Sequence, residues 1–241
     1  MSIPRLFCPS LTGGRNVIPD DEAHHARQVL RIKIGEEIVL FNGKGSEAQA
    51  VVMALDRKKL EVDVTRRSEY PYDAAVQITL AVAMPKAHRQ GYLIEKCTEL
   101  GVFAIWPVET ERGVAKPGAA AVEKWKRRAV EAAKQAGRRW VPQIETPQTF
   151  DDAMARRGEV DHAVLAQAGR ESISLTKHFE SVKPSDRVLA FIGPEGGWTP
   201  EECGRARDAG LSLVRLAQTV LRTETAAVSF CAAVAARFSE S

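Results

Sequence analysis

The chain has 241 residues, 44% of them hydrophobic and 27% charged, which fits a soluble globular protein with a sizeable core and not a disordered, fibrous or membrane chain. Its length makes two domains the natural expectation, and a formal net charge of +3 permits an acidic partner such as RNA without requiring one. Cys8, Cys97, Cys203 and Cys231 stand singly with no C-x-x-C pair, so packed, reduced thiols are expected and neither a disulfide framework nor a zinc site.

In chain order, short strands come first: Ile38–Phe41, then alternation at Ala48, Ala50 and Val52, then at Leu60, Val62 and Val64. They predict a small β-barrel. A helical turn over Ala23–Leu30 interrupts it, with Asp20 and Asp21 as caps. Asn42-Gly43-Lys44-Gly45, between two strand-like runs, reads as a hairpin turn. His24 and His25 are adjacent and point apart on a helix, so no metal site is expected. SEYPYD at 68–73 reads as a linker, dividing a domain 1–72 from a domain 73–241.

The second domain alternates strand with helix: strand Val76–Met84, helix His88–Leu100 stopped by Gly101, and strand Ile105–Val108. A long helix, Ala119–Gly137, carries Trp125, Ala129, Ala132 and Ala136 on one stripe. Strand-like DHAVLAQ and RVLAFIG, a helix from Pro200 to about Ala209, strand-like LSLVRL and a last helix to Arg237 follow. This rhythm predicts a mostly parallel sheet covered on both faces. No run reaches roughly 18 apolar residues, and the first residues lack a basic-then-apolar leader; a cytoplasmic protein without membrane contact is expected.

Two segments carry chemistry. FIGPEGGWTPEE, Phe191–Glu202, runs from an apolar strand through Gly193, Pro194, Glu195, Gly196 and Gly197 into a helix. Such a loop lies at the carboxyl end of a strand, where open α/β sheets bind ligands and glycine admits close backbone approach. Thr199, Pro200 and Glu202 spell a capped helix start, and Glu195 is expected to be buried. The loop lacks the lysine and spacing of a P-loop, which argues against a nucleoside triphosphate. LAQTVLRTETAA, Leu216–Ala227, reads as a second apolar strand and short loop opening a helix near Thr223. There Glu224 suits the helix dipole and Arg222 offers a fixed cationic fork.

GPEGG followed by VLRTETA resembles the signature of the RsmE family, bacterial SPOUT methyltransferases acting on uridine N3 of small-subunit ribosomal RNA. IPRLF (3–7), HHARQVLR (24–31), FNGKG (41–45), EKCTELGV (95–102) and GRRWVPQI (137–144) resemble further blocks of that family. The resemblance implies an α/β fold with a C-terminal SPOUT-type trefoil-knotted domain and a small N-terminal PUA-like β-barrel, S-adenosyl-L-methionine as cofactor, 16S rRNA in the assembled small subunit as partner, and a homodimer. Carried over, it puts Leu165, Ile192, Gly193, Pro194, Glu195, Gly196, Gly197, Leu216, Ala217, Gln218, Val220, Leu221, Arg222 and Thr223 around the cofactor. Ala166–Ser172 and Ala217 depart from the family's usual pattern.

Methylation at uracil N3 requires the loss of a proton and stabilisation of the resulting anion. Arg222 is the expected cation, and Glu195 or Glu224 the proton acceptor or a structural carboxylate. Backbone charge provides most RNA affinity, so contacts are expected from Arg5, Arg27, Arg31 and Lys33 in the barrel, from Lys86 and Arg89, and from Lys124, Arg127, Lys134 and Arg138 on the long helix. Two other readings stay open: a knotted methyltransferase for another RNA position, and a non-catalytic RNA-binding assembly factor.

Overall fold

The computed structural model describes residues 3–56, 59–169 and 171–238. The chain forms two compact units, Met1–Asp73 with Ala133–Val141, and Ala74–Ala132 with Pro142–Ser241.

The first unit holds β1 (Arg5–Phe7), β2 (Gly14–Ile18), α1 (Asp20–Gln28), β3 (Glu37–Phe41), β4 (Ser46–Leu55) and β5 (Leu60–Glu69). The sheet order is β1-β3-β4-β5-β2, with β1 parallel to β3 and the other pairs antiparallel. Alternating side chains send Ala48, Ala50, Val52, Leu60 and Val62 to one face, where they meet Leu6, Ile18, Ala26, Ile38 and Leu40. Register shifts at Gln49/Ala50 and Val52/Ala54 bend β4. The strands β1 and β2 were not legible because three or five residues with glycine and arginine carry no periodicity. Asp20 is the first helical residue rather than a cap, the cap position being Pro19; the Asp21 side chain lies outside the described residues.

Residues 133–141 close this unit, and here one expectation is corrected. Arg138 is not on the long helix, because Gly137 at φ 70° turns the chain out of it. Ala136 likewise leaves the apolar stripe and is exposed. Arg138 is buried, its Nη2 2.5 Å from Asp73 Oδ1, and its carbonyl accepts from Arg5 Nη2 at 2.8 Å. Trp140 bridges to Lys44 and donates Nε1 to Pro71 O at 3.0 Å. The β3–β4 hairpin turn packs so tightly here that a Cβ on Gly45 would lie 2.5 Å from Tyr70 O. FNGKG and GRRWV are therefore two halves of one packing cluster.

The second unit is built on β6 (Gln77–Val82), β7 (Ala104–Glu109), β8 (Gln143–Ile144), β10 (His162–Ala166), β11 (Ile173–Ser174), β12 (Arg187–Ile192) and β13 (Ser212–Arg215). All run parallel in the order β11-β13-β10-β12-β6-β7-β8, and β9 (Gln148–Thr149) pairs with β7. QITLAV and RVLAFI are buried almost throughout, as strands covered on both faces must be. The helices are α2 (Ala87–Glu99), α3 (Ala119–Gln135), α4 (Phe150–Ala155), α5 (Leu175–His178), α6 (Pro200–Asp208) and α7 (Thr223–Arg237). A second correction falls on Leu216–Arg222, expected as strand then loop: the strand is Ser212–Arg215, and 216–222 is all loop.

The four cysteines are free and buried. On α2 and α7, which pack together, the neighbouring Cys231 thiol and burial push the Cys97 thiol up. Among the described residues no helix is long and apolar enough to cross a membrane.

Candidate active site

Strand β12 ends in Ile192 beside Val82, the end of β6, and the chain turns through Gly193–Gly197 into α6. Gly197, at φ 69°, donates its N–H to Pro194 O at 2.9 Å and closes the turn. Trp198 then folds back beneath it. Its Nε1 donates to Ala166 O at 2.9 Å, at the end of β10, and its ring lies so close to Gly193 that a Cβ there would meet Trp198 Cε2 at 2.9 Å. Only glycine fits over this indole.

Four further ties hold the loop. Thr199 and Glu202 form the expected capping box with Pro200 at the first turn, a device worth about 1 kcal/mol. The second Glu202 carboxylate oxygen, fully buried, accepts from Glu111 N at 3.0 Å and fastens the segment after β7. From that segment Arg112 Nη1 donates to Gly196 O at 3.1 Å and Trp198 O at 3.4 Å. On the other side Thr223 Oγ1, at the start of α7, donates to Gly193 O at 2.9 Å.

These loops enclose an open cavity of about 400 Å³ at the carboxyl ends of β10, β12 and β13, where doubly wound sheets bind ligands. Glu195 is the one charged residue among the described residues lining it. A wall of glycine, alanine and peptide groups with one carboxylate suits a ligand bearing positive charge, not a polyphosphate.

Residues 73–235 match the family model described as RNA methyltransferase domain, and residues 18–65 match RNA methyltransferase PUA domain. The chain is 33% identical to the ribosomal RNA small subunit methyltransferase E of Mycobacterium bovis, covering 92% of this chain and 87% of the relative. It is 32% identical to the Synechocystis protein of the same name, over 85% and 67%. The crystal structure of ribosomal RNA small subunit methyltransferase E from Neisseria gonorrhoeae bound to S-adenosyl methionine superposes with a TM-score of 0.86 at 28% identity, covering 98% of each chain. The chain belongs to the ribosomal RNA small subunit methyltransferase E family. Its fold is the SPOUT-type α/β fold with an N-terminal PUA domain.

Against that family's expected pocket, Ile192, Gly193, Pro194, Glu195, Gly196, Gly197, Leu216, Ala217, Val220, Leu221 and Thr223 all line the cavity. Leu165, Gln218 and Arg222 do not: Leu165 is fully buried in the core, whereas Gln218 and Arg222 face solvent. Sequence reasoning missed Ala166–Gly169, Trp198, Thr219 and Ala226. Trp198 was findable, since a tryptophan directly after GPEGG at the end of a buried strand has to pack under the loop. The Ala166–Gly169 wall directly follows Leu165, which the resemblance had put beside the cofactor, in the loop that departs from the family's usual pattern.

The expectation that Glu195 is buried is corrected. It sits in the loop after β12, and its side chain is 33% exposed. Glu224 is the buried carboxylate, on the first turn of α7. Arg89, on the first turn of α2, stands between them, Nη1 3.6 Å from Glu195 Oε1 and Nε 3.5 Å from Glu224 Oε1. Arg222 is exposed and has no ion pair among the described residues.

The expected RNA-binding cations divide into two groups. Within the first unit Arg5 pairs with Glu47, Lys134 with Glu22 at 2.9 Å and Arg138 with Asp73, and Arg27 donates to Asp56 O at 2.9 Å. Arg31 and Lys33 are exposed there. In the second unit Lys86, Lys124 and Arg127 are exposed.

Proposed function

We propose that this chain transfers a methyl group from S-adenosylmethionine to N3 of one uridine in 16S ribosomal RNA of the small subunit, working as a homodimer. The observation that carries this reading is the glycine-lined, carboxylate-bearing cavity in a chain of this family. When bound, S-adenosylmethionine supplies an electrophilic methyl on a cationic sulfonium, and the Glu195 carboxylate lining the cavity matches that cation. Its small side chains leave room for adenine and ribose against backbone groups, with Gly193, Gly196 and Ala217 forming part of the wall.

The chain's own residues then have two tasks. One of the carboxylates Glu195 and Glu224 takes the N3 proton, and the exposed Arg222 supplies the positive field in which the uracil anion is held. Orientation of base and methyl contributes much of the rest. RNA phosphates are met by the exposed cations Arg31, Lys33, Lys86, Lys124 and Arg127, none of which makes a close ion pair among the described residues.

The test uses small subunits lacking native modification, labelled S-adenosylmethionine and reverse transcription. A methyl on N3 blocks the pairing edge, so incorporation with an arrest at one uridine is expected. Label without arrest overturns the N3 assignment, and no label in an assay verified with an active relative overturns the enzyme reading. Assembled subunits should be modified far better than naked 16S RNA.

A further inference from the structure

The Arg89 guanidinium is held between two carboxylates of unlike surroundings. Glu224 is buried on α7, and its Oε2 has no hydrogen-bond partner among the described residues. Glu195 lines the cavity and is one-third exposed. At 3.5 and 3.6 Å both contacts to Arg89 are ion pairs, longer than good hydrogen bonds. Among the described residues the guanidinium makes no side-chain hydrogen bond, so its planar fork of five N–H groups is oriented but not spent. Its place is set by the strand ends: Ala83 N donates to Ile192 O at 3.0 Å, so the turn from β6 into α2 lies beside the glycine loop.

We propose that Arg89 and Glu195 act as one donor–acceptor pair that recognises the pairing edge of uracil, Glu195 accepting the N3 proton while Arg89 donates to an adjacent carbonyl, with Glu224 as the buried anchor that orients Arg89. This rests on the uridine-N3 reading above. Uracil presents acceptor, donor, acceptor at O2, N3–H and O4, and a guanidinium next to a carboxylate complements two neighbouring members of that set. Cytosine keeps O2 but presents a bare ring nitrogen at N3 and an amino donor in place of O4, so Glu195 meets it acceptor against acceptor, and Arg89, where it reads the 4-position, donor against donor. A buried carboxylate with an orphaned oxygen is costly to keep, and such costs persist where a functional group has to be aimed.

The step balances. The N3–H proton passes to the Glu195 carboxylate, the N3 lone pair forms the bond to the methyl carbon, the carbon–sulfur bond breaks, and its electron pair stays on sulfur. The cation consumed at sulfur is matched by the proton released. Arg89 holds the negative charge that builds on the base oxygen during transfer, where a fixed donor has more effect than in water.

The experiment takes the full chain on small subunits lacking native modification and compares wild type, Arg89→Ala, Arg89→Lys, Glu195→Gln and the double variant Arg89→Ala/Glu195→Gln. Calorimetry gives cofactor affinity, and steady-state kinetics separate kcat from KM for the subunit. The expected result for Arg89→Ala is kcat lower by about 100-fold or more, with cofactor Kd and subunit KM within about 3-fold. Arg89→Lys should recover only part of that loss, since an ammonium keeps the charge without the fork. The double variant should be within about 10-fold of the slower single variant, because two groups acting as a unit are not additive. A raised KM with unchanged kcat would make Arg89 an ordinary RNA contact and overturn the pair, as would additive losses in the double variant. Wild-type product mapping separates the two readings: a methyl found elsewhere than N3 overturns the functional proposal first, whereas an N3 methyl with full kcat in Arg89→Ala overturns this inference alone.

Discussion

The hydroxyl of Thr223 donates to the carbonyl of Gly193 across 2.9 Å and thirty positions of sequence. One hydrogen bond thus ties the start of α7 to the mouth of β12, and both loops it joins line the cavity. Thr223→Val keeps the shape and removes the donor. The loss leaves a carbonyl unsatisfied at a cost of about 1 kcal/mol, so cofactor Kd should rise roughly 5-fold by calorimetry and Tm fall about 2–4 °C for a chain of this size.

Gly193 has no room for a side chain over Trp198. Gly193→Ala should displace the indole from Ala166 O and cost about 1–3 kcal/mol, seen as at least a tenfold weaker cofactor affinity and a red-shifted tryptophan emission. Gly204, inside α6, faces open space. Gly204→Ala should raise stability by up to about 1 kcal/mol through helix propensity and leave cofactor affinity unchanged.

His178 is buried, its Nε2 has no hydrogen-bond partner among the described residues, and its ring meets that of His162 edge-on at 5.7 Å. Burial first, and then the charge on His162, hold its pKa below the ordinary 6.5. His162 itself faces Asp186 at 3.0 Å. The unfolded chain takes up this proton before the folded one, so the stabilisation is complete above about pH 6.5 and is lost as pH falls through the lowered folded value. His178→Phe should make Tm less sensitive to pH between 7 and 5 than in the wild type, as calorimetric scans would show. An equal slope in both proteins would remove His178 from the acid response.

Arg222 caps α7 without a side-chain bond of its own and stands exposed next to Thr223. Arg222→Ala should lower kcat for methyl transfer by about 100-fold or more while cofactor Kd stays within about 2-fold, as single-turnover kinetics and calorimetry would measure. Retained turnover would take Arg222 out of the mechanism.

Much of the site was legible because it is local. GPEGG had to be a tight strand-to-helix turn, and Thr199-Pro200-Glu201-Glu202 had to start a helix, since both signals lie within a few bonds of the backbone they set. The same holds for the buried runs QITLAV and RVLAFI, which mark strands covered on both faces. Burial of individual polar groups was less legible. Glu195 and Glu224 look alike in sequence, and which one faces the cavity depends on whether another element covers it.

By itself the sequence determined the alternation of strands and helices, the capped glycine loop and, through GPEGG and VLRTETA, the family. The tertiary structure alone decided that β12 inserts between β10 and β6, that Trp198 joins the ends of β10 and β12, that Arg138 turns inward to Asp73, and that Arg89 stands between the two carboxylates. Local conformation follows from propensities and caps acting over a few residues. Which distant segments become neighbours follows from how buried faces and hydrogen-bonding edges are satisfied across the whole sheet, and no window of sequence contains that sum.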